Sequence, residues 1–340
     1  MSICASERLL DLLGGHRATA TVCAAVELGV VEALAAGPQT SRSVAARCST
    51  HELATDRLLM ALHALGICER IEPGDFQLSE MGAHLVAASD HSLRDWALFE
   101  GNMLARSWLR LGESVRSGKT FGELAGSRGR YEDLRDDPKS AASFDAAMIS
   151  ITRLAARDIL TAFDFSTAGK IVDVGGGAGT LLIEILRAHP AATGCILDLP
   201  RCEAAARQAI ADADVASRVD FLAADFFMGL PRGFDTIVLK SVLHNWDDAR
   251  SAALLAECRR SLGRAGRVVI IERLLTSDSN ARGAVASTAL SDLNMLLGPG
   301  GCERSESAYR RLATDAGLTV VRVVPAGRYG LLIAEAGRTP

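Results

Sequence analysis

Three segments of this chain carry side chains able to move a proton. In LKSVLHNWDD an apolar strand ends at Lys240, and His244 follows one helical turn later. Glu272 ends the next strand in VVIIERLL, and Glu303 sits in the loop GPGGCERS. A histidine flanked in space by two carboxylates is held in one tautomer and becomes a better base. Such a base suits a weakly acidic hydroxyl. A phenol ionises near pH 10, so forming phenolate at neutral pH costs about 4 kcal/mol. A positioned base returns roughly 3–5 kcal/mol as rate, which matches. An isolated histidine here would more often cap a helix while the glutamates stay in solvent. Three polar groups at the same end of one sheet favour the base.

A second constellation is IVDVGGGAGT. An apolar strand carries Asp173 near its end, then Gly175, Gly176, Gly177 and Gly179 turn into a helix. Glycines there let the backbone approach a ligand and adopt positive φ. A dinucleotide fingerprint would place glycine at position 180, where this chain has Thr180. The GxGxG spacing suits a cofactor with no pyrophosphate, and an aspartate beside it suits a cation. Asp198, ending the second strand, can accept both hydroxyls of a ribose. Asp225, after the third, can accept from an adenine amino group, and Phe226 can pack on the ring. Each alone could be a helix cap. At the ends of consecutive strands they predict one nucleoside crevice.

The elements that must position these residues alternate strand and helix, the pattern of a parallel α/β sheet. KIVDVG, GCILD, VDFLA, FDTIVLK and RVVIIE read as strands. LTVVRVV and RYGLLIAEA, separated by Pro325, Ala326 and Gly327, read as a closing hairpin.

The first hundred residues read as helical. Val22, Ala25, Val26, Val30, Ala33 and Leu34 form one amphipathic stripe, with Gly29 on it. Further helices are expected at 43–47 and 54–65, then two short strands around the turn trio Pro73, Gly74 and Asp75. Helix, helix, hairpin is the order of a winged helix. Its charge argues against DNA: from Met1 to Trp96 there are seven arginines, no lysine and twelve carboxylates. Phosphate neutralisation supplies most duplex affinity, and this segment has nothing to supply it. A scaffold or dimerisation module is the better reading.

Between Asp95 and Phe165 the helical pattern carries large side chains, including Trp96, Phe99, Met103, Trp108, Phe144 and Met148. Met103, Trp108 and Phe144 are candidates for one wall of an acceptor pocket, although core packing is the commoner fate of such residues.

The 340 residues suggest two domains, and 49% hydrophobic with 23% charged residues is ordinary for a globular protein. The net charge of −4 favours neither nucleic acid nor an anionic membrane. Eight cysteines are scattered without a CxxC pair, fitting reduced thiols in the cytoplasm. No metal-ligand cluster, secretion signal or membrane span is read.

Taken in order, VDVGGGAG, LDLP, AADFF, LKSVLHNWDD, IIERLL, DLNMLL and GGCERS resemble the plant-caffeate and acetylserotonin type of small-molecule O-methyltransferase, with its bacterial antibiotic-pathway branch. The resemblance runs from about Gly15 to Ala336. It implies a winged-helix dimerisation domain over 1–98 and an α/β, Rossmann-like methyltransferase domain over 99–340. The methyltransferase sheet would have an antiparallel final strand, and 99–165 would form a helical pocket segment. Gly175, Asp198, Asp225, Phe226 and Lys240 would bind S-adenosylmethionine, beside Asp173 and Gly177 of the glycine motif. His244 would be the general base, oriented by Glu272 and Glu303. Met148, Asn294 and Met295 would line the pocket of a small aromatic acceptor, in a homodimer whose partner chain often closes that pocket. Three departures stand out: Phe226 for a commoner Met, a slightly longer stretch from Asp225 to Lys240, and Cys302 for Lys or Gly. Methylation of a ring nitrogen, diversion to hydroxylation, and a nucleoside-sensing regulator are the rival readings.

Overall fold

The computed structural model describes residues 4–71, 74–127, 130–276 and 282–337. The chain divides into two compact units, Met1–Arg106 with Lys139–Ile151, and Ser107–Pro138 with Thr152–Pro340.

In the first unit the apolar stripe expected as one helix is two. The helix Ala5–Glu27 stops because Gly29 turns left-handed, with φ 77°, and a short helix Val30–Ala35 follows. Glycine takes that conformation without the Cβ penalty, which explains why it sits on the stripe. Thr40 caps Ser41–Cys48 by accepting the Ser43 amide at 3.1 Å, and His51 caps Glu52–Ala64 in the same way. Strands β1 (Cys68–Ile71) and β2 (Asp75–Leu78) pair antiparallel, Cys68 opposite Leu78. Gly74 is in their connection, while Pro73 of the expected turn lies outside the described residues. Val26, Val30, Leu34, Leu59, Leu62 and Phe76 close this unit's core. On the first helix Leu9, Leu10, Leu12 and Leu13 are 56%, 68%, 78% and 66% exposed.

The second unit is built on a seven-stranded sheet. Its strands are β3 (Lys170–Val174), β4 (Thr193–Asp198), β5 (Val219–Ala223), β6 (Phe234–Lys240), β7 (Leu262–Glu272), β10 (Leu318–Ala326) and β11 (Tyr329–Ala336). They lie in the order β10-β11-β7-β6-β3-β4-β5. The pairs from β7 to β5 are parallel, whereas β11 runs antiparallel to both its neighbours. The expected closing hairpin is therefore inserted into the sheet beside β7. Two further short strands, β8 (Leu274–Leu275) and β9 (Arg304–Ser305), pair with each other in parallel.

Both faces of the large sheet are covered, so its strands alternate between two apolar cores rather than between core and water. On β7, Val269 and Ile271 join the core under helices Thr180–Ala188 and Glu203–Ala211. Val268 and Ile270 join the one under Asp248–Ser261 and Glu306–Asp315. Among the described residues, no helix is long and apolar enough to cross a membrane.

Candidate functional site

From β3 the chain winds outward to β4 and β5, then returns to the other side of β3 as β6. In open α/β sheets a ligand crevice forms at such a reversal, outside the carboxyl ends of the strands. Gly175 follows β3 with φ 71°, and its amide donates to the Leu197 carbonyl at 2.8 Å. A Cβ at this position would stand 2.9 Å from Val242 Cγ2, so a side chain would push the loop off its neighbour. Gly177, with φ 57°, donates its amide to Asp198 Oδ2 at 2.7 Å, while Asp198 Oδ1 accepts from Leu199 at 2.7 Å. The glycine loop is thus tied to the end of β4.

Asp225 accepts the Phe227 amide at 2.9 Å and turns the chain so that the Phe226 ring stands 3.8 Å from where a Gly175 Cβ would lie. Phe226 also meets Trp246 edge-on, centroids 6.1 Å apart. Lys240 ends β6 with Nζ 3.4 Å from Ser241 Oγ and 5.1 Å from the Tyr329 ring centre. Asp173 is buried, and burial drives its carboxyl up to about 7 against the opposing pull of Lys240. Side-chain-free backbone, three carboxylates and one ring share this rim. The set fits a nucleoside that carries positive charge and no phosphate.

The three proton-handling residues do converge. His244 rides a single turn, Leu243–Asn245, just past β6. Its Nδ1 lies 3.2 Å from Glu303 Oε1 and 3.5 Å from Glu272 Oε2, and both carboxylates are buried. Ionised carboxylates only accept, so Nδ1 carries the proton and Nε2 keeps the basic lone pair. Burial resists charge on the imidazole, but Glu272 and Glu303 outweigh it and raise its pKa above 6.5. Burial likewise raises Glu272, although its Oε1 accepts amides from Val242 at 3.0 Å, Leu243 at 2.8 Å and His244 at 3.4 Å. The same three residues form a group of metal-ligand types whose ligand atoms lie within 4.8 Å of one another among the described residues.

The expected acceptor-pocket residues divide between the two units. Met103 is half-buried on the π-helical turn Phe99–Leu104, Phe144 packs edge-on against Phe99, and Met148 is half-buried; all three belong to the first unit. Trp108 is half-buried in the second unit, as is Asn294, whose Oδ1 makes no hydrogen bond. Met295, one residue on, is buried, at 6% exposed.

Four residues absent from the sequence reading complete the site. Ser291 Oγ donates to Glu303 Oε1 at 2.7 Å, and Asp292 Oδ1 accepts the Glu303 amide at 2.8 Å. Both lie on the helix Arg282–Leu297, within a turn of Asn294, and that spacing was their available signal. Arg304 and Ser251 are buried behind the His244 turn, and neither residue type advertises burial in a sequence.

The state of Asp173 gives a stability prediction. Its folded value of about 7 lies above the ordinary aspartate range, so the fold favours the protonated form. That contribution is complete at acid pH and is lost as pH climbs through the folded value. The thermal midpoint of Asp173→Asn, taken relative to the unsubstituted protein, should rise between about pH 5 and about pH 8. A difference that stays level across this window would show that burial does not govern the carboxyl.

Comparison with known proteins accords with this geometry. A family model of the O-methyltransferase domain matches residues 108–319, and one of the O-methyltransferase dimerisation domain matches residues 10–88. The chain is 33% identical over 336 residues to the mitomycin biosynthesis 6-O-methyltransferase of Streptomyces lavendulae, covering 98% of this chain and 95% of that one. The crystal structure of human N-acetylserotonin methyltransferase in complex with S-adenosylmethionine superposes with TM-score 0.91 at 28% identity, covering 99% of each chain. An O-methyltransferase from neocarzinostatin biosynthesis, solved with S-adenosylhomocysteine and 1,4-dihydroxy-2-naphthoic acid, gives TM-score 0.77 at 32% identity over 98% of this chain and all of that one. The protein belongs to the S-adenosylmethionine-dependent O-methyltransferase family, with the family's dimerisation domain at its N-terminus.

Proposed function

We propose that this enzyme methylates a hydroxyl of a small aromatic molecule, with His244 as the general base. The observation that carries the base is the placing of Nδ1 against two buried carboxylates, which favours the tautomer with Nε2 unprotonated. Two buried carboxylates hold Nδ1–H, and Nε2 makes no hydrogen bond to any described residue. The aromatic acceptor is supported by the mitomycin-pathway relative and by the naphthoic acid bound in the neocarzinostatin enzyme.

S-adenosylmethionine, when bound, supplies a methyl group already activated on a sulfonium. Asp173, Gly175, Gly177, Asp198, Asp225, Phe226 and Lys240 are the residues that would hold it. Asp198 would turn from the Gly177 amide toward ribose hydroxyls, and Phe226 would lie against the adenine. His244 Nε2 takes the acceptor's proton, and the resulting imidazolium is stabilised by Glu272 and Glu303. Asn294 Oδ1, with no partner of its own, is suited to accept from a polar hydrogen on the acceptor. Holding the reacting groups in line supplies much of the remaining acceleration.

The base is tested directly. His244→Ala should lower kcat by about a hundredfold to ten-thousandfold while S-adenosylhomocysteine binds as before in calorimetry. Wild-type turnover in this variant would remove the base from the mechanism. Mass spectrometry of the product formed with labelled cofactor reads the atom methylated, and label on nitrogen would overturn the hydroxyl assignment.

The pH profile has a defined sign. At low pH His244 is imidazolium and cannot accept a proton, so kcat/KM should rise with pH to a plateau, with its inflection above 6.5. Glu303→Gln removes one of the charges that favour imidazolium, which should move the inflection down and lower the plateau. An inflection that does not move would mean that another group is titrating.

We further propose a homodimer formed through the first helix, whose exposed Leu10, Leu12 and Leu13 lie within the matched dimerisation domain, with the exposed Leu9 just before it. Light scattering should give twice the chain mass, and Leu10→Asp with Leu13→Asp should halve it. A doubled mass in that variant would place the interface elsewhere.

A further inference from the structure

The turn that carries His244 is gripped at both ends. At its start, the amides of Val242, Leu243 and His244 point at Glu272 Oε1. At its end, the carbonyls of Leu243 and Trp246 accept from Arg304, Nη1 at 3.1 Å and Nη2 at 2.7 Å. Ser251 Oγ donates to the same two carbonyls, at 3.2 and 3.5 Å. Arg304 is 4% exposed, and its one carboxylate partner among the described residues, Asp248 at 2.8 Å, keeps a side chain 73% exposed. A guanidinium is expensive to bury, and an apolar side chain would fill the space at less cost. What an apolar side chain cannot do is hold two carbonyls flanking a histidine in a planar, rigid fork. Arg304 also follows Glu303 directly, so adjacent residues of one loop grip the imidazole ring and the backbone beneath it.

We propose that Arg304 is a positioning residue for methyl transfer, fixing where the His244 imidazole stands through the carbonyls on either side of it. The inference rests on the reading of His244 as the base. A misplacement of about 1 Å in a catalytic group can cost on the order of a hundredfold in rate, so a flexible cation should not substitute. Lysine keeps the charge but offers no fork.

The test is a double-mutant cycle in the full-length enzyme. Arg304→Lys should lower kcat by about tenfold to a hundredfold, with the acceptor KM and the Kd for S-adenosylhomocysteine near wild type. In a His244→Ala background the same substitution should add no further loss, because the group it positions is gone. Ser251→Ala, a smaller change at the same carbonyls, should give a lesser loss that also vanishes in that background, and it serves alone where Arg304→Lys fails to fold. Equal losses in both backgrounds, or a loss confined to cofactor affinity, would make Arg304 a packing residue and overturn the proposal. Full turnover by His244→Ala would instead bring down the base itself and this inference with it.

Discussion

The site turns on one buried carboxylate. Glu272 has no solvent exposure, and its two oxygens face different tasks: one accepts three successive backbone amides, the other faces the His244 imidazole. A carboxylate removed from water survives as an anion only where donors replace the lost hydration. The three amides replace it on one oxygen, while the other has no hydrogen-bond partner and faces the imidazole at 3.5 Å. The arrangement is reciprocal, because the same contacts that keep Glu272 tolerable also fix the shape of the turn and the tautomer of the ring. The proton on His244 is best viewed as belonging to the group of three side chains rather than to one.

Strand register delivers the partners to that carboxylate. Lys240 and Ile271 stand opposite each other on β6 and β7, so the strand end that faces the cofactor crevice and the one that carries Glu272 are adjacent in the sheet. His244 lies four residues past Lys240, on the short turn that follows β6, and Ser241 takes a left-handed conformation, φ 55°, to start it. Such a conformation is unfavourable for a residue with a Cβ and persists where its surroundings hold it. Here the Ser241 amide donates to Ile271 at 3.0 Å and its carbonyl accepts from Asn245 at 3.0 Å. Gly301 completes the fit from the other side, since a Cβ there would overlap the His244 carbonyl.

Much of this was legible in residue order. Strands buried on both faces, as β7 and β11 are, announce themselves as unbroken apolar runs, and the glycines after β3 mark a turn that other residues would strain. The grouping of His244, Glu272 and Glu303 was readable because a parallel sheet brings the segments after consecutive strands to one end. What stayed hidden depended on tertiary distance. Arg304 looks like any surface arginine until its partners, 56 to 61 residues away, are known. Ser251 reads as an ordinary helix residue, and its hydroxyl matters only because two carbonyls lie within reach. Gly29 shows the converse: periodicity ran straight through a residue whose backbone ends one helix and starts another. Large apolar side chains such as Met295 carry no mark in the sequence that separates lining from filling.

The hairpin that closes the sheet also decides how copies of it can meet. Because β11 slots in beside β7, the outermost strand on that side is β10, which is irregular between Val320 and Arg322 and carries Pro325. At the opposite border β5 has five residues and an exposed Asp220. A break in register, a missing amide and charged side chains each blunt a strand's capacity to recruit another. Both rims of this sheet therefore carry features that work against pairing with a strand of another molecule. Growth of this sheet by strand addition is thereby disfavoured at both borders.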